Sequence, residues 1–177
     1  MKRRAIAPFG RLLLLTVALG GCYAREGEPP SNAEPDWGQP LQFTFGTLAG
    51  GELSSDTTRG RTTALLFVTT YDLPSQAEAQ LLRDVLSTHK PLANAAIVML
   101  EPPHSAPLAQ VWADSIDLKL PIAMASPSLI AGESQLGRVA GVPTLIVLDR
   151  RGRLVAKNEG VLTRAQISEA LTLADRR

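Results

Sequence analysis

Asp72 and Ser75 stand three positions apart, where a run of β-forming residues gives way to a helical pattern. A carboxylate near a hydroxyl admits two readings. In the first, Asp72 is a base and Ser75 a nucleophile, but a serine activated in this way normally needs an imidazole between the two. The histidines are His89, at the far end of the helical pattern, and His104, in a loop after Pro102-Pro103, and neither has a sequence reason to reach Ser75. In the second, either residue caps the helix by accepting the exposed N–H groups at its positive end; losing such a cap costs about 0.5–2 kcal/mol. Capping is the favoured reading. The scarcity of histidine also argues against a metal site, and the single cysteine, Cys22, can form neither an internal disulfide nor a Cys-rich metal site. No cofactor is expected.

The elements that must position this pair follow from periodicity. Leu41 to Leu48 alternates apolar and polar residues like a half-buried strand, and Gly50-Gly51 turns it into Glu52 to Ser55, a hairpin. Thr62 to Thr70 is nearly all β-branched or apolar, as a strand buried on both faces should be. Ser75 to His89 predicts a helix with Ala77, Leu81, Leu82, Val85 and Leu86 inward, a capping-box spacing between Ser75 and Glu78, and Pro91 as its stop. Ala95 to Leu100 is a second apolar strand. Leu108 to Leu118 predicts a helix with Val111, Trp112 and Ile116 inward, Pro121 to Ala125 a short strand, and Glu133 to Ala140 a short helix. Thr144 to Asp149 is a third buried strand, turned at Arg150-Arg151-Gly152 into Arg153 to Lys157. Thr163, as N-cap, opens a closing helix to Ala174 with Ile167, Leu171 and Leu173 inward. Strand–helix–strand units followed by a hairpin and a last helix predict an α/β sandwich with a mixed sheet.

The chain has 177 residues, 45% hydrophobic and 20% charged, enough for one domain with a core. From Cys22 onward 14 basic residues stand against 17 acidic ones. No basic face of the kind a phosphate backbone requires is legible, so nucleic acid is not an expected partner. Met1 to Arg11 is basic, Leu12 to Leu19 is apolar, and Leu19-Gly20-Gly21-Cys22 resembles the bacterial lipobox. That resemblance implies a signal peptide over residues 1–21 and a lipid-modified Cys22 at the start of the mature chain. The protein would then be tethered to the outer face of a bacterial membrane, on the periplasmic side of the envelope. Tyr23 after the cysteine leans weakly towards the outer membrane. Residues 22–40 are rich in proline, glycine and acidic residues, cannot bury a core, and read as an extended tether; its Trp37 either docks on the domain or is exposed.

The third region, residues 41–177, resembles thioredoxin-like redoxins. The resemblance rests on the opening hairpin, the Phe67 to Glu78 loop, Gly141-Val142-Pro143-Thr144, and Leu148-Asp149-Arg150-Arg151-Gly152-Arg153, in that order. It is nearest to the envelope-anchored TlpA-type thiol-disulfide oxidoreductases, relatives of the alkyl hydroperoxide reductase group. The fold it implies is a thioredoxin-like three-layer sandwich, a mixed central sheet with helices on both faces and an N-terminal β-hairpin. It also implies that Pro143 is cis and faces the loop, and that the Val142 backbone can pair with an extended peptide. Tyr71 and Pro74 match the family's aromatic-Cys-x-x-Cys loop, but Asp72 and Ser75 occupy the two cysteine positions. Disulfide exchange needs an attacking thiolate and a resolving partner, and neither residue can act as one.

Two functions remain. One is a redox-inactive lipoprotein whose groove, formed by Tyr71, Asp72, Pro74, Ser75, Val142 and Pro143, binds an extended segment of another envelope protein. The other is an oxidoreductase-family protein that uses cysteines of a partner.

Overall fold

The computed structural model describes residues 38–177. The expectations placed on the signal segment, on Cys22 and on Trp37 lie outside the described residues. Along the chain, a hairpin of β1 (Thr44–Gly46) and β2 (Glu52–Ser54) runs into one turn of helix, α1 (Ser55–Thr58). Then come β3 (Thr63–Val68), α2 (Leu73–Thr88), β4 (Asn94–Met99), a 3-10 turn (Pro103–Ser105) and α3 (Ala106–Ser115). The chain continues through β5 (Ile122–Met124), α4 (Pro127–Ile130), β6 (Thr144–Leu148), β7 (Leu154–Glu159) and α5 (Arg164–Asp175).

The sheet order is β5-β4-β3-β6-β7, with β3, β4 and β5 parallel and β6 and β7 antiparallel. All six residues of β3 are buried, which is why the sequence there is continuously apolar or β-branched rather than alternating. The crossovers β3-α2-β4 and β4-α3-β5 step the same way along the sheet, and connections of one hand then place both helices on one face. There α2, α3 and α5 share a core with Leu66, Val68, Ile97 and Val147. The opposite face, carrying Leu65, Phe67, Val98 and Ile146, is covered by Leu41, Phe43, Phe45, Leu129 of the short α4, and Leu136. The mixed sheet, the helices on its two faces and the hairpin are those of the thioredoxin-like sandwich.

Several details differ from the sequence reading. Of the alternating run Leu41 to Leu48, only Thr44–Gly46 pairs within the hairpin. Its flanks are tied to the main sheet instead, by Leu41 N–H to Gly152 O (2.9 Å) and Leu48 N–H to Ile122 O (2.9 Å). α2 begins at Leu73, two residues before the expected start, because Asp72 is its cap; Ser75 and Glu78 form no capping box. The buried stripe of α2 is Ser75, Glu78, Ala79, Leu82 and Val85, leaving Ala77 exposed. Val111 and Leu173 are likewise exposed, because Ala109, Ala113, Ala170 and Ala174 fill the close positions where these helices meet the sheet. No helix forms over 133–140, where Gly137 takes φ +72°, which a right-handed helix excludes. The helix in that region is α4, capped by Ser126.

Arginines from three separate stretches gather at the end of the sheet where β3 begins and β6 ends: Gly60 N–H donates to Arg150 O (2.9 Å), and Thr62 Oγ1 to Asp175 Oδ1 (2.6 Å).

Leu82 is wholly buried between α2 and the sheet. Leu82→Ala should lower unfolding free energy by about 2–5 kcal/mol in urea melts, whereas Leu173→Ala, on the exposed side of α5, should stay within about 0.5 kcal/mol of the parent.

Candidate functional site

The candidate site lies where β3 leaves the sheet. Val68 is the last paired residue; Thr69 is buried, and its Oγ1 has no partner among the described residues. Glu101, arriving from the end of β4, accepts from both the N–H and the hydroxyl of Thr70 through Oε1 (2.7 Å each), which pins the base of the loop. Tyr71 then projects outward, 82% exposed. Asp72 Oδ2 accepts the N–H of Ser75 (2.8 Å) and its hydroxyl (2.6 Å), capping α2 at the end where a negative charge is favoured. Pro74 sits in the first turn, where an absent N–H costs no intrahelical bond.

Across the sheet, Phe67 is level with Thr144, so continuing the register brings Pro143 level with Val68 and Val142 with Thr69. The Val142–Pro143 peptide is cis, as the family resemblance implies. Pro143 O accepts from Gly160 N–H (2.8 Å), and Thr144 Oγ1 donates to Gly141 O (2.7 Å). The N–H and C=O of Val142 make no hydrogen bond to another described residue. The six groove residues expected from the sequence therefore stand at one end of the sheet. The exposed apolar side chains of Tyr71, Leu73 and Val161 stand there with them, Val161 following the Gly160 that bonds Pro143. Cys22 is outside the described residues.

Sequence reasoning missed Glu78 and Glu101 as parts of this region. Glu78 is 1% exposed; its Oε2 accepts Leu162 N–H (2.8 Å) and its Oε1 has no partner among the described residues. Burial pushes its carboxyl above the ordinary carboxylate range, while the Leu162 bond pulls the other way. Glu78 thereby ties α2 to the loop that bonds Pro143. A signal was present: Glu78 lies at helical spacing from Leu82 and Val85, so a charge sits on the buried stripe. Glu101 directly follows a continuously apolar strand.

The arrangement does not assemble a serine hydrolase. Ser75 is wholly buried and its hydroxyl is bonded to Asp72. His89 Nε2 lies 2.9 Å from Asp175 Oδ2 at the far end of α2, about 24 Å along the 16-residue helix, and His104 is exposed in the 3-10 turn. Among the described residues, no group of three His, Cys, Asp or Glu side chains is placed to hold a metal ion. No described helix is long and apolar enough to cross a membrane.

No protein-family model matches the chain, and no curated protein matches it. Solved structures do. A DsbF homologue from Corynebacterium diphtheriae is 18% identical with a TM-score of 0.66, over 85% of this chain and 96% of that one. A putative thiol:disulfide interchange protein DsbE from Chlorobium tepidum is 16% identical with a TM-score of 0.66, over 80% and 97%. The exposed lipoprotein thioredoxin Etrx1 of Streptococcus pneumoniae is 18% identical with a TM-score of 0.60, over 74% and 98%. The chain has a thioredoxin-like fold.

Two outcomes follow from the carboxylates. Asp72→Ala should cost about 0.5–2 kcal/mol of stability, measured by denaturant unfolding, as the loss of a cap does. Because the folded pKa of Glu78 is raised, the folded state binds its proton more tightly than the unfolded chain. The contribution of Glu78 to stability should therefore fall as pH rises from the ordinary carboxylate pKa to the raised folded value, and be flat above it. Glu78→Gln, which keeps an acceptor for Leu162, should remove that decline in pH-resolved melts; an unchanged profile would refute the assignment.

Proposed function

We propose that this protein is a member of the thioredoxin-like redoxin group, anchored in the bacterial envelope through lipid on Cys22, that binds an extended segment of another envelope protein and performs no thiol chemistry of its own. The observation that carries the reading is the pairing of an unbonded Val142 backbone beside cis Pro143 with a loop whose two thiol positions hold Asp72 and Ser75. Strand-type recognition uses main-chain hydrogen bonds for affinity and flanking apolar surface for specificity. Val142 offers one N–H and one C=O, and Tyr71, Leu73 and Val161 offer the apolar surface. The hydrogen bonds from Ser75 and Thr70 to carboxylates hold the loop without a disulfide. With one cysteine in the sequence, exchange within the chain has no second sulfur.

The similar structures include a disulfide oxidoreductase and a putative thiol:disulfide interchange protein, which supports a second reading: the chain acts in disulfide chemistry through cysteines of its partner.

A pull-down from envelope extract separates the two. A partner retained by the parent and lost, by roughly tenfold or more, with Pro143→Thr would match a strand-type groove. Capture of that partner should persist after its cysteines are replaced by serine. Insulin reduction by the purified protein with Cys22→Ser would sink the redox-inactive reading.

A further inference from the structure

The end of the domain opposite the groove carries a charge pattern that neither reading uses. Residues 56–62, 89–94, 149–153 and 175–177 hold eight arginines and lysines against three aspartates, while the rest of the described chain holds five against ten carboxylates. The described domain is thus neutral as a whole and strongly asymmetric. The four stretches are joined at that end by Gly60 N–H to Arg150 O (2.9 Å), Asn94 N–H to Thr62 O (2.8 Å), and the bonds of Asp175 to Thr62 (2.6 Å) and His89 (2.9 Å).

The three aspartates are already engaged. Asp149 is buried, which alone would raise its pKa; the backbone N–H and guanidinium of Arg153, with the N–H of Arg151, hold it below the ordinary range instead. Asp175 is held by Thr62 and His89, and Asp56 pairs with Arg59 at 3.6 Å. Arg61, Lys90, Arg150, Arg151, Arg176 and Arg177 are left exposed. Arg61 and Arg150 line a shallow cavity there with Thr62, Pro91, Leu92 and Asp175.

The same end receives the chain from its N-terminal side. Pro40 bridges to Arg153, and Leu41 N–H donates to Gly152 O (2.9 Å). Seventeen residues lie between Cys22 and Pro40, so the basic end can never be more than about 60 Å of contour from that cysteine.

We infer that this basic end docks on anionic phospholipid headgroups at the membrane surface where Cys22 is held, turning the groove beside Pro143 away from the bilayer. The inference rests on the proposed lipid attachment at Cys22. The placement of the tether favours lipid over nucleic acid: it enters beside the arginines, so the anchored chain meets a phosphate-rich plane with that end first. Basic residues near an anionic surface reinforce a lipid anchor, and the attraction decays within a Debye length, about 8 Å at physiological salt. The five residues of β6 set the groove about 17 Å further along the sheet, beyond that range.

The test uses the mature chain reconstituted in vesicles of phosphatidylcholine alone or mixed with phosphatidylglycerol. With Cys22 acylated, Leu92→Cys at the basic end or Leu73→Cys at the groove supplies the only free thiol for a fluorophore, read against a headgroup quencher. On the mixed vesicles, the label at 92 should be quenched about fivefold more strongly than the label at 73. The difference should vanish on neutral vesicles, in about 1 M salt, and in the Arg61→Gln, Arg150→Gln, Arg176→Gln, Arg177→Gln variant. It should persist with Arg138→Gln plus Arg164→Gln.

Equal quenching at the two positions, indifference to lipid charge, or persistence in the fourfold variant would overturn the inference. So would a DNA duplex that displaces the basic end at matched phosphate concentration. Absence of an acyl group on Cys22 by mass spectrometry would instead overturn the anchoring reading. The labelled chain with Cys22→Ser then answers by cosedimentation: pelleting only with phosphatidylglycerol upholds the basic end as a lipid surface, and failure to pellet overturns it.

Discussion

The structure depends on one strand being enclosed on every side. β3 is buried on both faces and hydrogen-bonded on both edges, parallel to β4 and antiparallel to β6. A strand with no free edge and no free face has its register set by all its neighbours at once, since a slip of one residue would exchange its two cores. The point where it leaves the sheet is fixed as firmly as the strand, and with it the loop from Thr69 to Asp72. β6, running the other way, delivers Val142 and Pro143 to the same end. The meeting of that loop with Val142 and Pro143 is therefore a consequence of how strands pair in the middle of the sheet, not of any long-range attraction between the two segments.

Carboxylates hold the rest of that end together. Asp72 caps α2, Glu101 holds Thr70, and Glu78 holds Leu162, each accepting from a backbone N–H. Asp72 Oδ2 and Glu101 Oε1 each accept two donors, so that one oxygen ties a backbone N–H and a hydroxyl together in a loop with no covalent cross-link. The cost is desolvation. Glu78 and Glu101 are buried with one oxygen each lacking a described partner, and a buried polar atom left unbonded costs about 1–3 kcal/mol. Ser75 is drawn into the same pattern: its hydroxyl bonds Asp72 and is wholly shielded from solvent.

The described domain carries equal numbers of basic and acidic residues, so its net charge says nothing about its surface. Arginines at 61, 150 and 176 are far apart in the chain and close in space. The parallel and antiparallel strands return their turns to the same end, and the C-terminal end of α5 packs there through Asp175. A long-range field depends on where charges sit rather than on their sum.

Much of the architecture was legible from periodicity because it rests on local rules. The continuous apolar runs of β3 and β6, the Thr163 cap of α5 and the turn at Arg150 to Gly152 are each dictated by residues within a few positions of one another. Asp72 as a cap and Pro143 as a cis proline were also within reach of the sequence, one from helix-end chemistry and the other from family resemblance. What failed was the fine phase of the helices. Ala77, Val111 and Leu173 were assigned inward and are exposed, whereas closeness of packing selected other alanines, a serine and even a glutamate for the inner stripes. Hydrophobicity ranks a residue by what it would gain from burial, but only the neighbouring element decides how much room there is. The bond from Leu162 to Glu78, the Glu101–Thr70 bond and the gathering of arginines at one end belong to that second kind of information. Each joins residues more than thirty positions apart, and no pattern confined to a helix turn or a strand repeat records such a meeting.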